Sequence, residues 1–154
     1  MTQPEGEVTL DEGADQAFQR AQRVVMTRGD SCLDTEHLLL GLLDDPRVKE
    51  RLEALGLNPR RIRSATNFLM GEPESQFSQP QMERKPQWSD LVRKAVVAAG
   101  NEARLWNVME QASSVTLLRR LVLLEEGRAC RILESFGLWE ESIDKKIPPS
   151  FMIP

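Results

Sequence analysis

The sequence predicts an all-α fold in which a four-helix unit is duplicated with pseudo-twofold symmetry, giving about eight helices. The composition favours helix over sheet, because tyrosine is absent, aromatic residues make up only 5%, and Leu, Ala, Glu and Arg are abundant. Apolar residues recur at spacings of three and four, as on the buried face of a helix. The order of helix starts and glycine stops in residues 10–70 recurs in residues 88–147, which indicates an internal repeat.

Length, charge and cysteine content limit the classes of function. A chain of 154 residues can form one domain with a hydrophobic core, or two small units that share one. The formal net charge of −4 argues against general affinity for nucleic acid or anionic membranes, which need a basic surface. No run approaches the roughly 18 apolar residues of a membrane span, and residues 1–10, MTQPEGEVTL, contain no basic segment followed by an apolar core. Cys32 and Cys130 are too few for a disulfide framework or a metal site, so we expect free, buried thiols in a cytoplasmic protein.

The first helix follows a polar segment, residues 1–9, which we expect to be a flexible tail because it contains Pro4 and Gly6. The helix begins near Leu10 or Asp11 and ends at Gly29, a residue type that tolerates the backbone conformation of a helix terminus. One face of this helix is apolar and is formed by Leu10, Ala14, Ala17, Phe18, Ala21, Val24 and Val25.

The second helix contains the densest apolar run of the chain, TEHLLLGLL, and continues to about Asp45. Asp34 or Thr35 can cap it, since a short side-chain oxygen accepts from the free amides of the first turn. The leucines leave almost no polar face, so this helix must be buried against several others. Glu36 lies in the first turn, where a carboxylate stabilises the helix by about 0.3–1 kcal/mol when exposed. We expect it to remain available to a partner at the surface.

Two further helices complete the first half of the chain. Pro46 can occupy the first turn of the third helix, and Gly56 stops it. Asn58 and Pro59 begin the fourth helix, which ends at Gly71. The residues predicted to face the core are Val48, Leu52 and Leu55 in the third helix, and Ile62, Ala65, Phe68 and Leu69 in the fourth. The fourth helix also carries arginines that should point mostly outward, namely Arg60, Arg61 and Arg63.

A linker separates this half from a second set of four helices. Residues 71–87 are rich in Pro, Gln, Ser and charged residues and have no periodicity. The fifth helix should start at Ser89 or Asp90, the sixth at Ser113 or Ser114, and the eighth near Glu140. The predicted core residues are Leu91, Val92, Ala95, Val96, Ala99, Ala103 and Trp106, then Leu117, Leu118, Leu121, Val122 and Leu124, then Ala129, Ile132, Leu133 and Phe136. Gly137 closes the seventh helix, and residues 148–154 form a C-terminal tail.

The string TEHLLLGLL, followed by an amphipathic segment that ends in Leu55-Gly56-Leu57, resembles the N-terminal domain of the Clp family of AAA+ unfoldases. That domain contains two repeats, and here Phe136-Gly137 overlays Leu55-Gly56. The resemblance covers residues 10–147 and implies repeat one at 10–70, a linker at 71–87 and repeat two at 88–147. It further implies a protein-interaction module that docks substrates or adaptors for a Clp unfoldase–protease, either alone or as an excised domain.

The two copies differ at the position of Glu36. The resemblance implies that a glutamate in each copy forms an anionic docking spot, yet the residue that overlays Glu36 is Ser114 or Val115. In some members of the family the paired glutamates accept phosphorylated arginine as a degradation tag. Since only Glu36 matches that pattern, the sequence favours a docking module over phosphoarginine recognition.

Two arginines replace a small apolar pair in the second copy. Arg119 and Arg120 stand where the first copy has Leu40 and Gly41, which predicts a cationic face. The candidate partner-binding residues are therefore Thr35, Glu36, Ser113, Ser114, Arg119 and Arg120. The partners implied by the resemblance are protein clients or adaptors and Clp ATPase or protease subunits.

Enzymatic and DNA-associated functions are the alternatives to docking. His37 is the only histidine, so the HExxH zinc motif is excluded, and neither cysteine has another candidate base. The chain has no GxxxxGK[ST] phosphate loop, so we expect no ATP hydrolysis. We also expect no other catalysis, and no metal or cofactor. The alternative is a helical regulatory or DNA-associated protein that keeps only the fold and uses the arginines of the fourth and sixth helices.

The three tryptophans could belong to the core or to an interface. Trp106 lies on the apolar stripe of the fifth helix and is expected in the core. Trp88 and Trp139 lie at element ends, where exposure is easier, and both positions stay open.

Overall fold

The computed structural model describes residues 8–71, 86–106 and 111–148, and these contain eight helices. They are α1 (Glu12–Arg28), α2 (Thr35–Leu43), α3 (Pro46–Ala54), α4 (Pro59–Met70), α5 (Asp90–Trp106), α6 (Ser114–Leu123), α7 (Arg128–Ser135) and α8 (Glu140–Lys146). Two short strands, β1 (Thr9–Leu10) and β2 (Gln111–Ala112), form a parallel pair. The predicted all-α architecture is thus confirmed, with one small addition of strand pairing.

Side-chain caps set the helix starts and settle the alternatives that the sequence left open. The Asp34 side chain caps α2, and the imidazole Nδ1 of His37 in turn accepts from the Asp34 amide at 2.9 Å, which completes a capping box. Ser113 caps α6, because its Oγ accepts from the amide of Thr116 at 3.1 Å. Thr35 and Ser114 are therefore equivalent first residues of α2 and α6.

The core is built around α2, in which all nine residues are buried. This helix packs against α1 and against each helix from α3 to α7. Gly41 permits the closest of these approaches, since a Cβ at that position would lie 2.2 Å from the carbonyl oxygen of Ala17 in α1. The sequence prediction that the leucines of α2 are buried against several other helices is confirmed.

Backbone pairing between the halves supports the duplication. The strand before α1 pairs with the strand before α6, with Leu10 opposite Ala112. Leu33, which precedes α2, forms a parallel bridge with Trp88, which precedes α5. The helices α5 and α6 are the counterparts of α1 and α2. Exchanging the two repeats therefore turns the first pairing into the second and the second into the first, which is what a pseudo-twofold relation requires.

The predicted tail and linker are only partly covered by the described residues. Residues 1–7, 72–85 and 149–154, which make up most of the predicted tails and linker, lie outside the described residues. The flexible-tail prediction is wrong for Val8 and Thr9, because Val8 is buried against Gly100 and Thr9 belongs to β1. At the end of the linker, Gln87 accepts a backbone hydrogen bond from Leu33 at 2.8 Å.

The core face of α4 differs from the predicted one. Ile62, Thr66 and Met70 are buried, whereas Phe68 is 88% exposed and Leu69 is also exposed. Thr66 can occupy the core because its hydroxyl donates to the carbonyl oxygen of Ile62 at 2.7 Å, which satisfies the polar group. The prediction that Phe68 and Leu69 face inward is therefore wrong, since the buried stripe follows the spacing of four residues from Ile62.

Candidate functional site: two related helix starts

The start of α2 meets the start of α7. The backbone amide of Ala129 donates to Thr35 Oγ1 at 3.3 Å, although the two residues are 94 positions apart in the chain. Gly127, which precedes α7, adopts a φ of +94°, and a Cβ there would lie 3.0 Å from Thr35 Oγ1. A side chain at Gly127 would also meet Leu91 in α5. The starts of α2, α5 and α7 thus converge on Thr35, which is fully buried.

Glu36 lies in this first site but is not exposed. The residue is only 4% exposed, and its Oε2 forms an ion pair with Arg128 Nη1 at 3.2 Å. Its Oε1 is buried and has no hydrogen-bond partner among the described residues. The Arg128 side chain is 55% exposed and covers the carboxylate from outside. The expectation that Glu36 remains available at the surface is wrong, because α7 packs over the start of α2.

The start of α6 forms a second, related site. A Cβ built on Gly13 in α1 would lie 3.0 Å from Asp45 Oδ2 and 3.8 Å from Ser114 Oγ. The α6 start therefore meets the starts of α1 and α3, as the α2 start meets those of α5 and α7. Ser114 is buried, and its Oγ has no hydrogen-bond partner in the part of the chain that is described.

No acid stands at the position of Glu36 in this second site. The capping residues Asp34 and Ser113 are equivalent, so the residue that overlays Glu36 is Val115. Val115 is buried and belongs to the core. This alignment of the two helix starts agrees with the prediction that the second copy has no acid at the position of Glu36.

The predicted cationic face at Arg119 and Arg120 does not exist. Arg119 is 3% exposed, and its Nη2 pairs with Glu102 Oε1 at 3.0 Å. Its Nη1 donates to Asp144 Oδ1 at 3.1 Å and to the carbonyl oxygen of Ile147 at 2.6 Å. Arg120 Nη2 also pairs with Glu102, at 2.8 Å. The two arginines hold α5, α6 and the end of α8 together, so this prediction is wrong.

The six predicted partner-binding residues thus fall into three different sets of contacts. Thr35 and Glu36 belong to the first helix-start site, and Ser113 and Ser114 to the second. The third set is the buried cluster of Arg119 and Arg120 around Glu102. None of the three sets is an open pocket of partner-facing polar groups.

His37 has a structural role. It is buried, and its Nε2 lies 2.6 Å from Asp30 Oδ2 while its Nδ1 completes the α2 cap. Burial alone would raise the pKa of the Asp30 carboxyl, but hydrogen bonds from His37 and Arg28, together with their charges, hold this pKa below its usual value. In the described ranges, no cluster of three or more His, Cys, Asp or Glu side chains could hold a metal ion.

The tryptophans occupy different environments. Trp88 is buried and stacks on Phe18 with ring centroids 4.6 Å apart, so it belongs to the core. Trp139 is 47% exposed at the start of α8, beside an open pocket of about 370 Å³. The side chain of Trp106 lies outside what is described.

Neither cysteine forms a disulfide, as expected, but only Cys130 is buried. The expectation of burial is wrong for Cys32, which is partly exposed, so the reactivities of the two thiols should differ. Cys130 is buried, its Sγ donates to the carbonyl oxygen of Val122 at 3.3 Å, and burial raises the pKa of its thiol. Less thiolate is therefore present at neutral pH. We predict that Ellman's reagent labels Cys32 first in the native chain and labels Cys130 only as the chain unfolds. A Cys32→Ser variant isolates the slow reaction, and equally rapid labelling of Cys130 in that variant would contradict the prediction.

A groove that the sequence did not indicate lies between α1 and α4, and its lining includes Arg20, Arg23, Arg28 and Arg63. Arg20 and Arg23 are three residues apart on α1, and this spacing already places both on the polar face of the helix. The packing of α4 beside that face could not be read from the sequence. In the portion of the chain that is described, no helix is both long and apolar enough to cross a bilayer.

Comparisons with known proteins place this architecture in a family. The sequence profile of the Clp repeat (R) N-terminal domain matches residues 9–109. A search of curated protein sequences gives no significant match. Among solved structures, the N-domain of ClpV from Vibrio cholerae has a TM-score of 0.67 at 16% identity, with 92% of this chain and 87% of that chain covered.

Two other solved structures have the same fold. A complex of the ClpV N-domain with a VipB peptide gives a TM-score of 0.66 at 21% identity and covers 89% of this chain and 83% of that one. The N-terminal domain of the caseinolytic-protease-associated chaperone ClpD from Arabidopsis thaliana gives 0.69 at 21% identity, covering 93% and 96%. At these identities the structures establish the fold, and the profile match establishes the family. The chain belongs to the Clp repeat (R) N-terminal domain family.

Proposed function

We propose that this chain is a docking module that binds protein clients or adaptors for a Clp unfoldase–protease system and performs no catalysis itself. The observation that carries the proposal is membership of the Clp repeat (R) N-terminal domain family over residues 9–109. A domain of the same fold, the ClpV N-domain, forms a complex with a VipB peptide, so the architecture is able to hold a polypeptide.

The surface of the chain supports a binding role. Phe68 and Leu105 are large apolar residues that project into solvent, and Trp139 is half-exposed. Tryptophan in particular is enriched among the side chains that carry most of the binding energy at protein interfaces. The groups that could carry chemistry have structural tasks instead, because His37 caps α2 and Cys130 is buried.

Two kinds of partner fit the proposal. The chain could bind the Clp ATPase or protease subunits directly, or it could capture adaptors and clients that otherwise reach the unfoldase. A cytoplasmic location, where such machinery and free thiols are both found, is part of the proposal.

Affinity capture tests the proposed function. The chain is immobilised and incubated with extract of its own cells, with and without an excess of the free chain as competitor, and the bound proteins are quantified by mass spectrometry. We expect a Clp ATPase, protease subunit, adaptor or known client to be enriched and to be displaced by the competitor. Recovery of no Clp component that the competitor displaces would refute the proposal.

Recognition of phosphoarginine is not part of the proposal, because the Glu36 carboxylate already pairs with Arg128 and is buried. The second site offers Val115 in place of an acid. We predict that calorimetric titration with free phosphoarginine gives no saturable binding. Saturable binding that disappears in a Glu36→Gln variant, and not in a Val115→Thr control, would contradict this prediction.

The DNA-associated alternative receives less support from the arrangement of the arginines. Arg119 is buried, and Arg63 pairs with Asp44 at 2.6 Å. Arg60 and Arg61 are exposed on α4, yet two cations supply few of the phosphate contacts that duplex binding requires. We therefore do not propose it as a second function.

A further inference from the structure

An open groove of about 470 Å³ lies between α1 and α4, and most of its charged lining residues are cations. Its charged residues are Arg20, Arg23, Arg28, Arg63 and Asp44. Apolar walls are provided by Val24 of α1 and Leu40 of α2. We refer to this feature as the α1–α4 groove.

The groove is positive on a protein that is negative as a whole. Four guanidinium groups and one carboxylate line it, while the formal net charge of the chain is −4. Asp30 does not line the groove, but it accepts from Arg28 Nε at 2.9 Å. When its charge is included, the positive charges of the groove still outnumber the negative ones. A local field opposite in sign to the net charge attracts an anionic group to this one surface.

Arg20 also has an unsatisfied donor. Its Nε donates to the carbonyl oxygen of Gly41 at 2.9 Å, which fixes the guanidinium against the end of α2. Its Nη2 is buried and has no hydrogen-bond partner among the described residues. Water cannot reach this nitrogen, so a ligand in the groove would contact Arg20 through the part of its side chain that lines the groove.

We propose that the α1–α4 groove binds an acidic segment of a partner polypeptide, with a carboxylate accepting from Arg20 and Arg23. This inference rests on the proposed docking function and names the chemistry of the partner. Charge complementarity selects an acidic occupant, and the walls formed by Val24 and Leu40 suit aliphatic side chains between its carboxylates.

A polypeptide fits the groove better than a nucleic acid does. Arg28 and Arg63 already pair with Asp30 and Asp44, so the charge still to be matched corresponds to one or two carboxylates. Duplex DNA needs a longer row of phosphate contacts. Asp44 would also repel a phosphate backbone, whereas a peptide can place a neutral residue opposite it.

The test uses two labelled peptides of equal length, one alternating Glu with Leu and the other alternating Lys with Leu, together with a labelled DNA duplex. Binding to the full chain is followed by fluorescence anisotropy. Arg23→Glu should weaken binding of the acidic peptide by about fivefold to tenfold, because it reverses an exposed charge that lines the groove. Asp44→Asn should strengthen it by about threefold or more, because it removes the acid of the lining.

Arg61→Glu is the matched control, since Arg61 is exposed on α4 but does not line the groove. This variant should bind the acidic peptide nearly as the wild type does. The tighter binding expected for Asp44→Asn cannot arise from misfolding. Equal weakening by Arg61→Glu and Arg23→Glu, equal binding of the two peptides, or tighter binding of the duplex than of the acidic peptide would overturn the assignment.

Failure of this inference is distinguishable from failure of the docking function. If Clp components are captured from extract but the groove variants bind the acidic peptide like the wild type, the groove assignment fails and the docking function stands. If the acidic peptide responds to Arg23→Glu and Asp44→Asn as expected but no Clp component is captured, the Clp docking function fails.

Discussion

Replacing Glu102 by alanine is expected to lower the free energy of unfolding by about 3 kcal/mol or more, as measured by urea denaturation. Glu102 is buried and pairs with both Arg119 and Arg120. Its removal leaves the Arg119 guanidinium, 3% exposed, with the exposed Asp144 as its remaining carboxylate partner. An inadequately paired charge in a protein interior is costly, because the solvation it has lost is no longer offset.

Two variants separate this effect from a general loss of packing. Asp144→Asn should cost less than about 1 kcal/mol, since its side chain is 75% exposed and solvent screens the pair. The double variant Glu102→Leu/Arg119→Met should recover much of the stability, because apolar residues of similar volume can replace a buried ion pair. A loss in Glu102→Ala no greater than that in Asp144→Asn would contradict the structural role of this cluster.

Replacing Gly41 by alanine should also destabilise the fold, by about 2 kcal/mol in the same denaturation assay. The added Cβ would lie 2.2 Å from the carbonyl oxygen of Ala17, so α1 and α2 would have to move apart. Alanine gains about 1 kcal/mol over glycine from helix propensity, and the steric cost must exceed that gain.

Gly100→Ala provides the comparison for Gly41→Ala. Both glycines lie inside helices, but a Cβ at position 100 would meet the side chain of Val8, at 2.8 Å, and no backbone atom is among its nearest contacts. Val8 lies just before β1, where the chain can adjust more easily than between two packed helices. The expected loss is within about 1 kcal/mol of the wild type. If Gly41→Ala is as stable as Gly100→Ala, the close approach of α1 and α2 is not the constraint described above.

Local signals predicted the helices well because caps and stops depend on neighbouring residues. The side chains of Asp34 and Asn58 cap the starts of α2 and α4, and Gly29 ends α1 in a left-handed backbone conformation. The wrong prediction of the core face of α4 also has a local cause. Phe68 was expected inside because it is apolar, whereas Thr66 takes the buried position by donating to a carbonyl oxygen of its own helix.

The candidate site was less predictable, because its contacts join distant parts of the chain. The pairing of Glu36 with Arg128 depends on how α7 packs over α2, and no spacing in the sequence encodes it. The same holds for Arg119 and Glu102, which meet through the packing of α5 and α6. Family resemblance correctly pointed to the Clp N-terminal domain, but it could not indicate that this chain closes Glu36 with its own arginine.

Site-specific photo-crosslinking in cells tests the central claim most directly, namely that this chain docks polypeptides of a Clp system through the α1–α4 groove. A photoreactive residue is placed at Asn67, which is exposed and lines the α1–α4 groove, or at Glu53, which is exposed on α3 away from it. We predict that Asn67 becomes linked to a Clp ATPase, protease subunit, adaptor or client, and that Glu53 does not. Crosslinked products that contain no Clp component at either position would contradict the claim.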